Sequence, residues 1–407
     1  MEIKRYLEIL KNYEERNLTF IDKDFPPILQ DADGVFVFDS GGNRYIDLTS
    51  FFGVSFSGHS QKFIKDEIER GFYHGAGDYL PNIYKIELME KLSKLTGKDF
   101  KGILLENGSD AIEFCLRTAY LYKKSKKFIS FKGGYHGTTL TPLSVTHSLK
   151  FRKDFEDILP FEAIFFDFSI NSIKRIKRYL SENNAAGIIL EPIQGRAGIK
   201  IPDNNFLKEI ESIAKEFNTP LIFDEMFTGI GKTGKIFAKD YFDVKPDMIA
   251  FGKALTSSFP LSACFGKPKI MDIWGESKGE AKFTMTFTGN PFFSRIALKN
   301  LKFMEKSKYE QKVKKIEVFF KNNLKPFEKK YKDLIKEIRG IGVLWGIEFI
   351  PPLKAFDIVK HLFKEGFITL PSGENGETIE IIPPFIIDIK ELKSFIYSLE
   401  KILETFK

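Results

Sequence analysis

An α/β fold built on a mostly parallel sheet follows from three observations on the 407-residue chain. Short apolar runs alternate with helical stretches from about residue 100 to about residue 290, the rhythm of strands joined by crossover helices. Two of those runs deliver a single charge at their end: Pro220-Leu221-Ile222-Phe223-Asp224 and Asp247-Met248-Ile249-Ala250-Phe251-Gly252-Lys253. Open α/β sheets place their functional groups there. Both chain ends have a mixed helix and strand pattern, which predicts a second, smaller α+β unit.

The elements follow in order. A charged amphipathic helix opens the chain and stops before the Pro26-Pro27 break. Val35-Phe36-Val37-Phe38 and Arg44-Tyr45-Ile46-Asp47 flank the turn Asp39-Ser40-Gly41-Gly42-Asn43 and predict two short strands. Helical periodicity over 84–96 leads into the strand Gly102-Ile103-Leu104-Leu105. Further strands are predicted at 128–131, 163–166, 187–190, 220–223, 247–251 and 261–265, with helices at 110–123, 171–181 and 204–217. Past Pro291 a long helical stretch runs through Glu317. Gly340 to Phe349 reads as hairpin-like strands, 354–364 as a helix, 379–382 as a strand and 389–405 as a closing helix. The expected division is an N-terminal segment, 1–50, packing with the small domain; a large domain, 51–295; and a C-terminal small domain, 296–407.

Composition excludes several classes. The net charge of +7 is spread over alternating Lys and Glu, which argues against a nucleic-acid partner. With Cys115 and Cys264 as the only cysteines, neither a disulfide framework nor a thiolate metal cluster is read. His59, His74, His136, His147 and His361 show no metal-ligand spacing. No apolar run reaches the roughly 18 residues of a membrane span. The start, Met1-Glu2-Ile3-Lys4-Arg5-Tyr6-Leu7, carries charges where a signal peptide has its apolar region. A reduced, cytoplasmic protein with no membrane partner is the expectation.

Four groups carry chemistry. Leu105-Glu106-Asn107-Gly108-Ser109-Asp110 is a strand end, a tight turn and a helix start. The unpaired backbone N–H groups of such a turn, with the Ser109 hydroxyl, suit a phosphate, although the same residues also serve as an ordinary helix cap. Gly133-Gly134-Tyr135-His136-Gly137 exposes the Tyr135 ring, which can lie over a planar heterocycle or pack on the core. His136 has no acid or nucleophile at short spacing to orient it, so it is not assigned to catalysis. Lys253 stands in a stretch with little other charge, where desolvation would lower its pKa and free its amine to attack an aldehyde. Asp224 would keep a pyridine nitrogen protonated. Phosphate turn, stacking ring, ring acid and lysine form one complete cofactor site.

Two nucleotide readings fail. Gly229-Ile230-Gly231-Lys232-Thr233-Gly234-Lys235 looks like the end of a P-loop, but Met226 stands where the first glycine is needed. No strand is followed by the G-x-G-x-x-G turn of a dinucleotide site.

From about residue 34 onward the chain resembles the class III, or ω-type, aminotransferases of the pyridoxal-phosphate fold-type-I superfamily. The matching stretches are Gly42-Asn43-Arg44-Tyr45-Ile46-Asp47, Asn107-Gly108-Ser109-Asp110-Ala111, Tyr135-His136-Gly137, Glu191-Pro192-Ile193-Gln194-Gly195, Asp224-Glu225-Met226, Thr228 to Gly234, Lys253, and Thr286-Phe287-Thr288-Gly289-Asn290-Pro291. The resemblance implies a seven-stranded-type, mostly parallel central sheet and pyridoxal 5′-phosphate as cofactor. By the same resemblance Lys253 is the Schiff-base lysine and proton shuttle, Asp224 the partner of the pyridine nitrogen, and Tyr135 the stacking ring. Met226 takes the family's Val or Ile position on the other face, Gly108 and Ser109 match the phosphate turn, and Glu191 falls among the cofactor-contact residues. Thr286 matches a phosphate ligand given by the neighbouring subunit, which implies a homodimer with shared active sites. The implied reaction is ping-pong transamination between small amine and oxo-acid or aldehyde substrates. An aminomutase or racemase on the same scaffold is the alternative, and a non-enzymatic or nucleic-acid-binding homologue a remote one.

The departures are informative. Phe227 stands where many members have a Gln that reaches the cofactor's ring oxygen, and Thr256-Ser257-Ser258-Phe259 replaces a glycine-rich run. Amino-acid-handling members often carry Glu after Gln-Gly, answered by Arg three residues before Pro-Pro. Here those positions hold Arg196 and Glu380, the charges exchanged. Three readings remain open: an ion pair of reversed polarity, contact of Arg196 with a substrate acid or Glu380 with a cationic amine, or loops displaced so that neither reaches the substrate.

Overall fold

Fifteen strands form three sheets among the residues described by a computed structural model, which are 2–15, 28–71, 80–203 and 205–407. The Pro26-Pro27 break and His74 lie outside them. The central sheet has seven strands: β4 (Lys101–Leu105), β5 (Lys127–Phe131), β6 (Glu162–Phe166), β7 (Gly187–Leu190), β8 (Leu221–Asp224), β9 (Met248–Phe251) and β10 (Ser262–Gly266), in the order β4-β10-β9-β8-β7-β5-β6. Every residue of β7, β8 and β9 is buried. That is why these strands read as unbroken apolar runs instead of alternating ones. The strands from β9 through β6 pair in parallel. The stretch expected at 261–265 is β10, which runs antiparallel to both β9 and β4.

One reversed strand between two others leaves β4 pointing the same way as β9. The C-terminal ends of β4, β5, β7, β8 and β9 therefore all emerge on one edge, and the loops after them share a single space. After β4, Asn107 caps the helix Gly108–Lys123. That helix buries Cys115 against β10, where its Sγ lies 2.9 Å from Cys264 Sγ. Sequence spacing offered no hint that the two free thiols meet.

The remaining strands come from both chain ends. β1 (Leu29–Asp33), β2 (Phe36–Asp39) and β3 (Arg44–Asp47) form an antiparallel set, and β13 (Phe367–Ile368) adds to β3 in parallel. β11 (Ile335–Ile341), β12 (Leu344–Phe349), β14 (Leu370–Ser372) and β15 (Thr378–Ile381) form the third sheet, in the order β11-β12-β15-β14. Strands β13 and β14 have only 2 and 3 residues, too few to show a periodicity. The β11–β12 turn inserts into the large sheet's loops: Gly342 has φ 59°, and a Cβ there would lie 2.2 Å from the Lys232 carbonyl oxygen. Only glycine fits that contact. The single long helix expected after Pro291 is two, Pro291–Lys306 and Tyr309–Asn323, broken where Lys308 turns left-handed at φ 51°. Among the described residues no helix is long and apolar enough to cross a membrane.

Candidate active site

The loops on the shared edge enclose a cavity of about 700 Å³. Lys253 enters it directly after β9. Its backbone is strained at φ 46°, and its loop is pinned by Asn300, whose Nδ2 donates to the carbonyls of Ala254 (2.8 Å) and Leu255 (3.0 Å). Ser57 completes the brace: its Oγ donates to Asn300 Oδ1 at 2.6 Å, and its N–H donates to Ser257 Oγ at 3.0 Å. Glycine precedes the lysine for a steric reason. A Cβ at position 252 would come within 3.1 Å of Leu261 O and Met226 Sδ. Burial lowers the Lys253 pKa, while Asp224, Glu380 and Glu191 oppose the fall and Arg196 adds to it.

Asp224 ends β8 and is buried at the floor of the cavity. Its Oδ1 accepts the Met226 N–H at 3.0 Å, and its Oδ2 lies 2.8 Å from His136 Nδ1. The sequence reading left His136 unoriented; the structure corrects this. The acid that holds the ring lies 88 residues away in the chain, brought beside it by the pairing of the intervening strands. The 2.8 Å contact fits Nδ1–H donating to the carboxylate oxygen. No signal local to His136 could have revealed the partner.

Tyr135 lines the cavity, with its N–H donated to Glu191 Oε1 at 3.0 Å. Glu191 Oε2 accepts the Gly195 N–H at 3.1 Å, so the carboxylate ties the Tyr135 loop to the turn that carries Arg196. Burial pushes the Glu191 pKa up to about 7 despite those two amides. At the helix start Asn107 Oδ1 accepts the Asp110 N–H at 3.1 Å, while the N–H groups of Gly108 and Ser109 have no acceptor among the described residues. Met226 packs its thioether within 3.1 Å of the place a Cβ would occupy on both Gly108 and Gly252. Free amides at a helix N-terminus, an acid at depth and a shielded lysine across the cavity fit the phosphate, ring nitrogen and aldehyde of pyridoxal 5′-phosphate.

The family model described as Aminotransferase class-III matches residues 21–403. The chain belongs to the class III aminotransferases. It is 30% identical over 374 residues to the acetylornithine aminotransferase of Archaeoglobus fulgidus, covering 90% of this chain and 92% of that one. It is 29% identical to the ornithine aminotransferase of Staphylococcus carnosus, over 93% of this chain and 95% of the relative. Among solved structures, a Bacillus anthracis aminotransferase superposes with a TM-score of 0.89 at 25% identity, covering 99% of both chains. The acetylornithine aminotransferase from Elizabethkingia anophelis superposes with a TM-score of 0.84 at 27% identity over the full length of both. The protein is thus a pyridoxal-phosphate-dependent aminotransferase.

The rest of the aminotransferase's cavity departs from its floor. Phe227 is buried where the sequence comparison expected Gln, and its ring centre lies 5.2 Å from Lys253 Nζ. Arg196 and Glu380 both line the cavity, so neither is displaced from it. They do not pair with each other: no hydrogen bond or ion pair joins them among the described residues. The Arg196 guanidinium lies 5.0 Å from the ring centres of both Tyr135 and Phe151. Its turn is clamped by Arg339, which donates through Nη2 to Gly198 O at 2.6 Å and through Nη1 to Glu348 at 2.7 Å. Thr286 is the one expected cofactor contact outside the cavity. It is exposed, next to Phe287, whose N–H donates to Glu106 Oε1 at 3.1 Å on the rim.

Proposed function

We propose that Lys253 is the residue that carries the cofactor and moves the proton in a two-step amino transfer. The donor is an amine or amino acid with a terminal amino group, and the acceptor is an oxo acid or aldehyde. The observation that carries this reading is the convergence of Lys253, the His136-supported Asp224 and the open helix start at Gly108 and Ser109 on one cavity. The names of the acetylornithine and ornithine aminotransferase relatives support a donor of that class.

Bound in this cavity, pyridoxal 5′-phosphate would supply an aldehyde to receive the amino group and a ring to accept the electrons freed at the donor carbon. The chain supplies the rest. The N–H groups of Gly108 and Ser109 with the Ser109 hydroxyl hold the phosphate. Tyr135 and Met226 confine the ring from its two faces. Asp224 keeps lone pairs available beyond its two present bonds, and His136 fixes its orientation. Lys253, its amine made less basic by burial, takes a proton from the donor carbon and returns one to the other end of the transfer.

In Lys253→Ala the visible absorbance of lysine-linked cofactor should vanish and turnover should fall by at least about 100-fold to 10,000-fold; wild-type turnover would overturn the assignment. A homodimer with shared sites is part of the proposal, because Thr286 is exposed and outside its own chain's cavity. Mixing Lys253→Ala with Thr286→Ala chains should restore activity in hybrids, each of which has one intact site. Failure to restore it would refute the sharing.

A further inference from the structure

Glu380 stands on β15, opposite Gly346 of β12 and Leu370 of β14, with its side chain in the cavity that holds Lys253. The residue is only 5% exposed, and its Oε1 has no hydrogen-bond partner among the described residues. The other buried carboxylates of the cavity are committed: Asp224 to His136 and Met226, and Glu191 to the amides of Tyr135 and Gly195. Burial raises the Glu380 pKa to about 7 while Lys253 and Arg196 pull it back toward the charged form, and among the described residues neither cation comes close enough to form an ion pair. A buried acceptor left without a donor is costly, and a ligand that brings the donor recovers that cost.

An ammonium group is the donor that such a site accepts. It matches the charge and offers three N–H groups to two carboxylate oxygens. The amine that reacts must approach Lys253, so the group meeting Glu380 is a second one on the same molecule. We infer that Glu380 is a specificity residue that binds a second ammonium group of the amino donor, making the enzyme selective for donors with two amino groups. The inference rests on the aminotransfer reading above and names the substrate class for the same site. A donor without the second amine leaves the carboxylate buried and unpaired, which is how polar pockets reject analogues lacking one polar group.

Two pairs of donors, each differing by one ammonium, test this on the holoenzyme: putrescine against butylamine, and ornithine against δ-aminovalerate. The first pair asks for a plain diamine and the second for a diamino acid. In single-turnover half-reactions the diamino member of at least one pair should be preferred by roughly tenfold or more, and Glu380→Gln should bring the ratio to about one. Glu380→Asp should keep the preference, which separates a charge requirement from a folding defect. Calorimetric binding supplies a readout independent of turnover. Tetramethylputrescine, which cannot react, should bind the wild type more tightly than dimethylbutylamine and lose that advantage in Glu380→Gln. Equal wild-type rates within both pairs, or equal losses for both members in Glu380→Gln, would overturn the inference while leaving aminotransfer intact. If no donor changes the cofactor's absorbance, the functional reading falls first and takes this inference with it.

Discussion

The floor and the wall of the cavity are built on opposite rules. On the floor both acids and the lysine loop are committed: Asp224 holds His136 and Met226, Glu191 holds two amides, and Asn300 pins the lysine loop at two carbonyls. On the wall, among the described residues, Glu380 has no partner for Oε1, and the Arg196 guanidinium is steadied by rings instead of by an acid. A closed hydrogen-bond network fixes groups for one chemistry. Open charges wait for a ligand. The same low-dielectric interior makes the first rigid and the second selective.

The contrast is tested most severely at Asp224. Asp224→Ala removes the partner of buried His136 and of the Met226 N–H, so the cofactor-free protein should lose about 1–3 kcal/mol of stability in urea titrations. The variant should also release its cofactor on desalting. If Glu380→Gln costs as much, the floor and wall do not differ and the contrast collapses.

A smaller effect is expected on the wall. Arg196→Ala should raise KM for a carboxylate-bearing substrate about tenfold, within the range of a lost charged hydrogen bond. Cofactor retention and the urea midpoint should stay put. Steady-state constants unchanged across a panel of donors and acceptors would remove Arg196 from substrate binding.

The last test is a pH slope. Burial pushes the Glu380 pKa up to about 7, with Lys253 and Arg196 pulling it back and Glu191 adding to it. The folded protein thus holds this proton more tightly than the unfolded chain, whose carboxyl has the ordinary value of 4.5. That contribution to stability is complete below the unfolded value and is lost as pH rises through about 7. Cofactor-free Glu380→Gln should match the wild type in acid and become the more stable of the two above neutrality. Parallel stability curves would show that Glu380 does not titrate in this way.

Much of the floor was legible because each of its groups sits where a strand ends. The buried runs before Asp224 and Lys253 announce parallel strands by composition, and the turn at Gly108 and Ser109 announces a helix start. The His136 contact was not legible, because strand pairing and not local spacing brings the ring to Asp224. The reversed β10 was missed for a similar reason: an apolar run reads the same in either direction. The break at Lys308 lies between two stretches of continuing helical periodicity, with no glycine or proline to mark it.

By itself the sequence determined the chemistry available: an acid and a lysine at strand ends, a tight turn at a helix start, and an exchanged pair of charges at 196 and 380. These follow from periodicity and residue type, which are local properties. Tertiary structure alone decided which charges are satisfied. Pairing depends on distance and desolvation, both set by how β15 and the turn after β7 pack around the cavity, and that packing leaves Glu380 Oε1 buried in the lysine's cavity with no donor among the described residues.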